Sequence, residues 1–312
     1  MLACILIAMT TSSPFQADDP RFWDLFPTGP EVELLATGYR FLEGPIWMPD
    51  GHLVFSDIPG NTLHRWDPKT RKAEAWREKV FAGEYLDGQG IGPNGNTLDP
   101  QGRLVTMEHG NRRVSRWNPD GTRTVLADKF EGKRFNSPND GVYAPWGDLY
   151  FTDPTWGLPK GKEDPSRELD FCGIYRLRKD GKVELLAKDL ILPNGLAFSP
   201  DHKKLYVSDS DPSNRLWQVY DVQPDGSLKN SRIFFDGRKS TGPGLPDGIK
   251  VDRHGNLWTG SLDGLQVISP EGRRLGHVTL PEGPANLCFG GPDGLYLYLT
   301  AGKSLHRIKL KP

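Results

Sequence analysis

The chain has 312 residues, enough to bury a large core in a single all-β unit, and its 36 glycines and 27 prolines suit many short strands joined by tight turns. The formal net charge is -1 with acids and bases interspersed, and no basic run is present to follow a phosphate backbone, so nucleic acid is excluded as an expected partner. The one strongly apolar run, residues 2–9, is too short to span a bilayer, so no membrane association is expected.

The N-terminus reads as a tail over residues 1–30. Within it, 1–17 carries an apolar stretch ending in small residues at Ala17, the outline of a secretory signal, but no basic n-region precedes Leu2 and Met9 is an alternative start. The expectation is a cytoplasmic protein, with a periplasmic or secreted one as the alternative. Cys4, Cys172 and Cys288 are too widely spaced for a disulfide framework or a zinc motif and read as free buried thiols.

From residue 31 onward the chain repeats itself. EGPIWMPDGHLVFSD (43–57) is echoed at 92–108, 138–153, 193–209, 246–261 and 283–300. Each copy is an apolar run, a turn dipeptide and an alternating strand, as in a β-hairpin. The turn landmarks Gly51, Gly102, Gly147, His202, Gly255 and Gly294 are 39 to 55 residues apart, the period of a propeller blade. In the first blade the strands are predicted at 45–49, 52–57, 62–66 and 73–77. EVELLA (31–36) matches KVELLA (182–187), an outermost strand, yet has no inner strands of its own, while the last copy stops one strand short. The predicted fold is therefore a six-bladed β-propeller over 31–312, closed by the N-terminal strand pairing in the last blade.

Eight residues before each landmark stand Glu43, Asn94, Asn139, Asn194, Asp247 and Asn286, each a carboxylate or carboxamide at the start of an innermost strand. Five of the six precede Gly or Asp, as turn-capping residues do, but glutamate is a poor turn former. Six polar groups converging on one end of the channel, two of them acidic, would be relieved by a cation, and an all-oxygen set favours calcium or magnesium, with manganese possible and zinc less suited. The second strands end on the same face at Asp57, Glu108-His109, Asp153, Asp209 and Ser261, and an 18-residue insertion, 154–171, follows Asp153 as a candidate substrate lid. His109 is a candidate proton shuttle or substrate contact. No G-x-S-x-G elbow is present, and Ser137 reads as a turn residue.

EGPIW (43–47), RFNSPND (134–140), LPNGLAFSPD (192–201) and LPDGIKVDRHGNLW (245–258) resemble the gluconolactonase and senescence marker protein (regucalcin) family, and MEHGNRRVSRW (107–117) and FTDPTWGL (151–158) its bacterial gluconolactonase branch. The resemblance implies a divalent metal in the channel and hydrolysis of sugar lactones. It places metal ligands at Glu43, Asn194 and Asp247, with Asn139 as ligand or substrate contact, and a substrate contact at Asn94. On that basis Asp247 is the expected general base, Asn139 assists it, and Asp140 and Asp209 orient substrate. Asn96 departs from the family, which has an apolar residue there. A propeller can also serve as a binding module with a structural calcium, or hydrolyse aryl or phosphate esters at the same site.

Overall fold

A computed structural model describes residues 13–84, 90–261 and 263–312. The apolar run 2–9, Met9 and Cys4 lie outside the described residues. Among them, six sheets of at least four antiparallel strands follow one another around the ring. Blade 1 is Leu42–Trp47, Leu53–Asp57, Thr62–Asp67 and Lys72–Glu78. Blade 2 is Pro93–Leu98, Leu104–Glu108, Arg113–Trp117 and Arg123–Ala127. Blade 3 is Gly141–Tyr143, Leu149–Asp153, Gly173–Leu177 and Val183–Ala187. Blade 4 is Pro193–Phe198, Lys204–Asp209, Leu216–Val222 and Leu228–Asp236. Blade 5 is built on Ile249–Val251, Leu257–Ser261, Gly264–Ile268 and Arg274–Val278, and blade 6 on Pro284–Gly290, Tyr296–Ala301 and Ser304–Lys309.

The ring closes as the repeat count requires. Val32–Thr37 pairs with Ser304–Lys309, from Val32 opposite Ile308 to Thr37 opposite Ser304, so the chain's first propeller strand completes its last blade. Apolar residues alternate along the strands, and the faces they present meet between neighbouring blades. Six buried clusters result, one in each seam; that between blades 6 and 1 contains Leu42, Phe55, Trp66, Tyr298 and Leu305.

Two expectations are adjusted. The first strand of blade 1 starts at Leu42, not at residue 45, because Glu43-Gly44-Pro45 looks like a turn but stays paired: Leu42 faces Asp57 and Glu43 faces Ser56. A β-bulge between Glu43 and Ile46 absorbs the mismatch, and the same slip recurs at Pro93/Asn96, Pro193/Leu196 and Pro284/Asn286. A bulge turns a side chain out of the regular alternation, here at the polar position of each strand. The second adjustment concerns the tail. Phe15–Ala17 adds a fifth strand to blade 5, with Phe15 opposite Val278 and Ala17 opposite Gly276. The short 3-10 helix Pro20–Leu25, capped by Asp19, then drives Phe22 and Phe26 into the seam between blades 5 and 6. Cleavage after Ala17 would remove that strand. Cys172 and Cys288 are free and buried, and burial pushes both thiols up to about 12.

Phe22 is fully buried, whereas neighbouring Trp23 is largely exposed. In urea unfolding, Phe22→Ala is expected to cost about 3–5 kcal/mol and Trp23→Ala less than about 1 kcal/mol. Equal, small losses would show that the segment is not part of the cooperative unit.

Candidate active site

The inner strands start around one end of the channel, and there Glu43, Asn94, Asn139, Asn194 and Asp247 line a single cavity of about 340 Å3 together with His109. The close approach of these strands depends on the residues that follow the polar position. Gly44 has φ +51°, and a Cβ there would lie 2.3 Å from the Asn94 carbonyl oxygen, so the backbones of blades 1 and 2 touch where any other residue would hold them apart. Asn96 turns out to fasten the same seam. Its Nδ2 donates to the Gly44 carbonyl at 2.8 Å and the Ser56 hydroxyl at 2.9 Å, and its Oδ1 accepts from the Thr106 hydroxyl at 2.7 Å. An apolar residue there would forgo these bonds, so the departure at Asn96 changes the fastening and not the fold.

The floor is electrostatically tense. Glu43 is buried, and burial, then the charge of Asp140, raise its carboxyl to about 7, against hydrogen bonds from Asn286 (2.9 Å) and the Gly44 N–H (2.6 Å). Asp247 is pushed well above the usual carboxylate range by burial, then by Glu43 and Asp140, against hydrogen bonds from Asn194 and the Gly248 N–H. Like charges in a desolvated place disfavour joint ionisation. Asn94 donates from Nδ2 to His109 Nε2 at 2.7 Å, and the Oδ1 atoms of Asn94 and Asn194 are both shut off from solvent without a hydrogen-bond donor. Buried carbonyl oxygens are rarely left unpaired. Two carboxyls and two amide oxygens without donors, on residues that line one cavity, fit a hard cation; no sulfur is present there, and the one imidazole, His109, is already bonded on both sides. Among the described residues no cluster of three or more His, Cys, Asp or Glu side chains forms a metal site, so any cation here would rely on amide oxygens beside the carboxylates.

His109 is buried, and burial lowers its imidazole to about 4 against the opposing Gly90 carbonyl. Nδ1 lies 3.0 Å from that carbonyl and so carries the proton, which leaves Nε2 to accept from Asn94, with Asn139 Nδ2 more distant at 3.5 Å. A neutral imidazole already bonded on both sides positions the two amides; it is poorly matched to shuttling protons near neutrality.

Asp140 and Asp209 do not line the cavity. Asp140 accepts from the Gly141 N–H at 2.8 Å and from Asn286 at 3.3 Å, with Lys250 Nζ at 3.8 Å, so it props Asn286 and through it Glu43. Asp209 accepts from the Ile191 and Leu192 N–H groups and from Asn214, which ties the entry to blade 4 and leaves no oxygen for substrate. Both residues, expected as substrate contacts, thus act here as props beside the cavity. The insertion 154–171 is pinned. Ser137 Oγ donates to the Pro154 carbonyl at 2.6 Å and accepts from the Gly157 N–H at 2.9 Å, and Arg112 donates to the Ser166 carbonyl at 2.7 Å. Gly157 packs so closely that a Cβ would lie 2.5 Å from His109 Cβ, and the loop thereby sets Trp156 into the cavity wall.

The remaining wall, Phe41, Ile58, Ser210 and Leu245, was not predicted. Phe41 and Leu245 stand two residues before Glu43 and Asp247, and Ile58, His109 and Ser210 each follow the last residue of a second strand.

A concave cavity with a polar, partly acidic floor at the start of a propeller's inner strands has the form of a small-molecule site. The chain belongs to the SMP-30/Gluconolactonase/LRE-like family, which matches residues 41–303. It is 34% identical to a gluconolactonase of Zymomonas mobilis over 94% of this chain and 85% of that protein, and 30% identical to a regucalcin of Xenopus laevis over 84% of this chain and 83% of that one. A solved gluconolactonase of Xanthomonas campestris superposes with a TM-score of 0.82 at 34% identity, over 96% of this chain and 95% of its own.

The His109 environment gives a pH test. Unfolded, its imidazole binds a proton near 6.5; folded, it does so only near 4. Between these values the unfolded state holds more protons, so this contribution is complete above pH 6.5 and is lost as pH falls towards 4. The stability difference between the natural protein and His109→Gln, followed by urea unfolding, should change across that window by on the order of 3 kcal/mol. A constant difference would mean a solvated imidazole.

Proposed function

We propose that the chain hydrolyses a neutral sugar lactone in this cavity with the help of a divalent cation. Family membership and the lactonases among its relatives make it a carboxylic ester hydrolase of the lactonase kind. The observation that carries the cation is the orphaned Asn194 Oδ1 beside two buried, mutually repelling carboxyls. Glu43, Asn194 and Asp247 would hold the ion, with Asn94 or Asn139 lending a further oxygen, and calcium suits such a set best. A solved regucalcin of Agrobacterium tumefaciens, described as calcium-binding, shares the fold at 19% identity and a TM-score of 0.73. A bound cation supplies Lewis acidity at the lactone carbonyl and lowers the pKa of water.

The chain's own groups account for the rest. Asp247, its carboxyl raised well above the usual carboxylate range by burial, takes the proton of the attacking water at a side-chain oxygen. Water adds to the carbonyl carbon, the ring C–O bond breaks, and the proton passes to the departing ring oxygen, giving the hydroxy acid. Asn94 Oδ1 accepts from a substrate hydroxyl and Asn139 holds a second substrate oxygen, with His109 fixing their orientation. Phe41, Ile58 and Trp156 offer an apolar wall to the C–H face of a sugar ring, and no Lys or Arg among the described residues lines the cavity, which disfavours a phosphate-bearing substrate.

Acid release from glucono-δ-lactone should be abolished by a chelator and restored by calcium. Asp247→Ala is expected to lower kcat by about 10²- to 10⁴-fold and to abolish calcium binding in calorimetry. Asn94→Ala should act mainly on KM. Calcium binding without turnover of any lactone would favour a binding module; full turnover by the Asp247 variant would refute the assigned base.

A further inference from the structure

A second cavity, of about 450 Å3, lies between blades 2 and 3. It is walled by the turns 99–103, 143–149 and 177–181, which join first to second and third to fourth strands and therefore sit on the face of the ring opposite the lactone site. Its charge is one-sided. Arg103, Arg116, Arg178 and Lys179 line it, against Asp99 alone. Asp99 is already neutralised, with Arg103 Nε at 2.7 Å and the Gln101 and Arg103 N–H groups on its other oxygen. Arg178 is paired with Asp180 at 3.2 Å, and nearby Asp148 accepts the Lys179 N–H at 3.0 Å.

Two cations remain. Lys179 makes no ion pair among the described residues, and neither does Arg116, whose Nε is shut off from solvent without an acceptor. Arg116 is half-buried in the cavity wall, and a guanidinium held there without a counter-charge is suited to an oxyanion, which its fork can bind bidentately. Beside Arg116 stands Tyr143, whose phenol is pushed up to about 12 by burial and then by Asp99, against Arg116 and Arg103; it is a hydrogen-bond donor at neutral pH. Trp146 supplies an apolar surface. Its ring packs edge-on against Tyr150 and Phe198, yet 39% of the residue is exposed.

We infer that this cavity binds a small organic oxyanion, a carboxylate or phosphate monoester with a flat apolar face, gripped by Arg116, Tyr143 and Lys179 and laid against Trp146. Its volume suits a ligand of that size. The inference is independent of the lactonase reading, since neither site shares a residue with the other.

Calorimetry at low salt with benzoate, phenyl phosphate and the neutral benzamide tests it. Benzoate or phenyl phosphate should bind about tenfold or more tightly than benzamide, and the stronger of the two tells whether the natural group is a carboxylate or a phosphate. Arg116→Gln should weaken that binding by about tenfold or more while leaving lactone turnover unchanged. Lys179 is exposed, so Lys179→Gln folds and should weaken binding by about threefold. Asp247→Ala should bind the anions as the natural protein does. Benzamide binding as tightly as benzoate, unchanged affinity in both the Arg116 and Lys179 variants, or loss of binding in the Asp247 variant would each overturn the inference.

Discussion

Glu43 sits on blade 1 and Asp247 on the entry to blade 5, and the closing of the ring forces their carboxyls into one desolvated cavity. Burial and then Asp140 raise the carboxyl of Glu43, and burial, Glu43 and Asp140 raise that of Asp247. Left to itself the pair would prefer protonation or separation. Neither is open to it, because six apolar seams and the pairing of Val32–Thr37 with Ser304–Lys309 fix where the inner strands begin. The rest of the floor reads as a response to that repulsion. Asn286 bridges Glu43 and Asp140, Lys250 lies near Asp140, and Asn194 donates to Asp247.

The amides show the direction of the design. Asn94 gives its N–H to His109 and Asn194 gives its own to Asp247, and both are left with carbonyl oxygens that no donor meets. His109 enforces this at blade 2 because its Nδ1 proton is held by Gly90, which makes Nε2 an obligatory acceptor. A site of buried, unpaired oxygens lowers stability, and such strain is kept where function needs it. The second cavity has the same logic with the sign reversed: a desolvated guanidinium N–H in place of desolvated oxygens.

Much of this was legible in the residues. The blade period, the closing strand and the polar residue eight before each turn landmark follow from local repetition, which hydrophobic alternation and turn chemistry write directly into sequence. Roles set by three-dimensional hydrogen bonding were not legible. Asp209 and Glu43 look alike as acids near a strand end, but the loop before blade 4 turns its N–H groups onto Asp209 and removes it from the site. Phe15 and Phe22 sit in a stretch without periodicity, so nothing local ties them to blade 5, hundreds of residues away in the chain. Asn96 looks like a flaw in the pattern because its four hydrogen-bonding partners lie on four different strands.

The central claim is that Glu43 and Asp247 share protons until a cation replaces them. Calcium binding measured by calorimetry near pH 7 in two buffers of different ionisation enthalpy reads the protons released directly. The account predicts release of a substantial fraction of a proton per calcium at that pH, and a smaller release as pH rises. Calcium that binds without releasing protons, or does not bind at all, would contradict it.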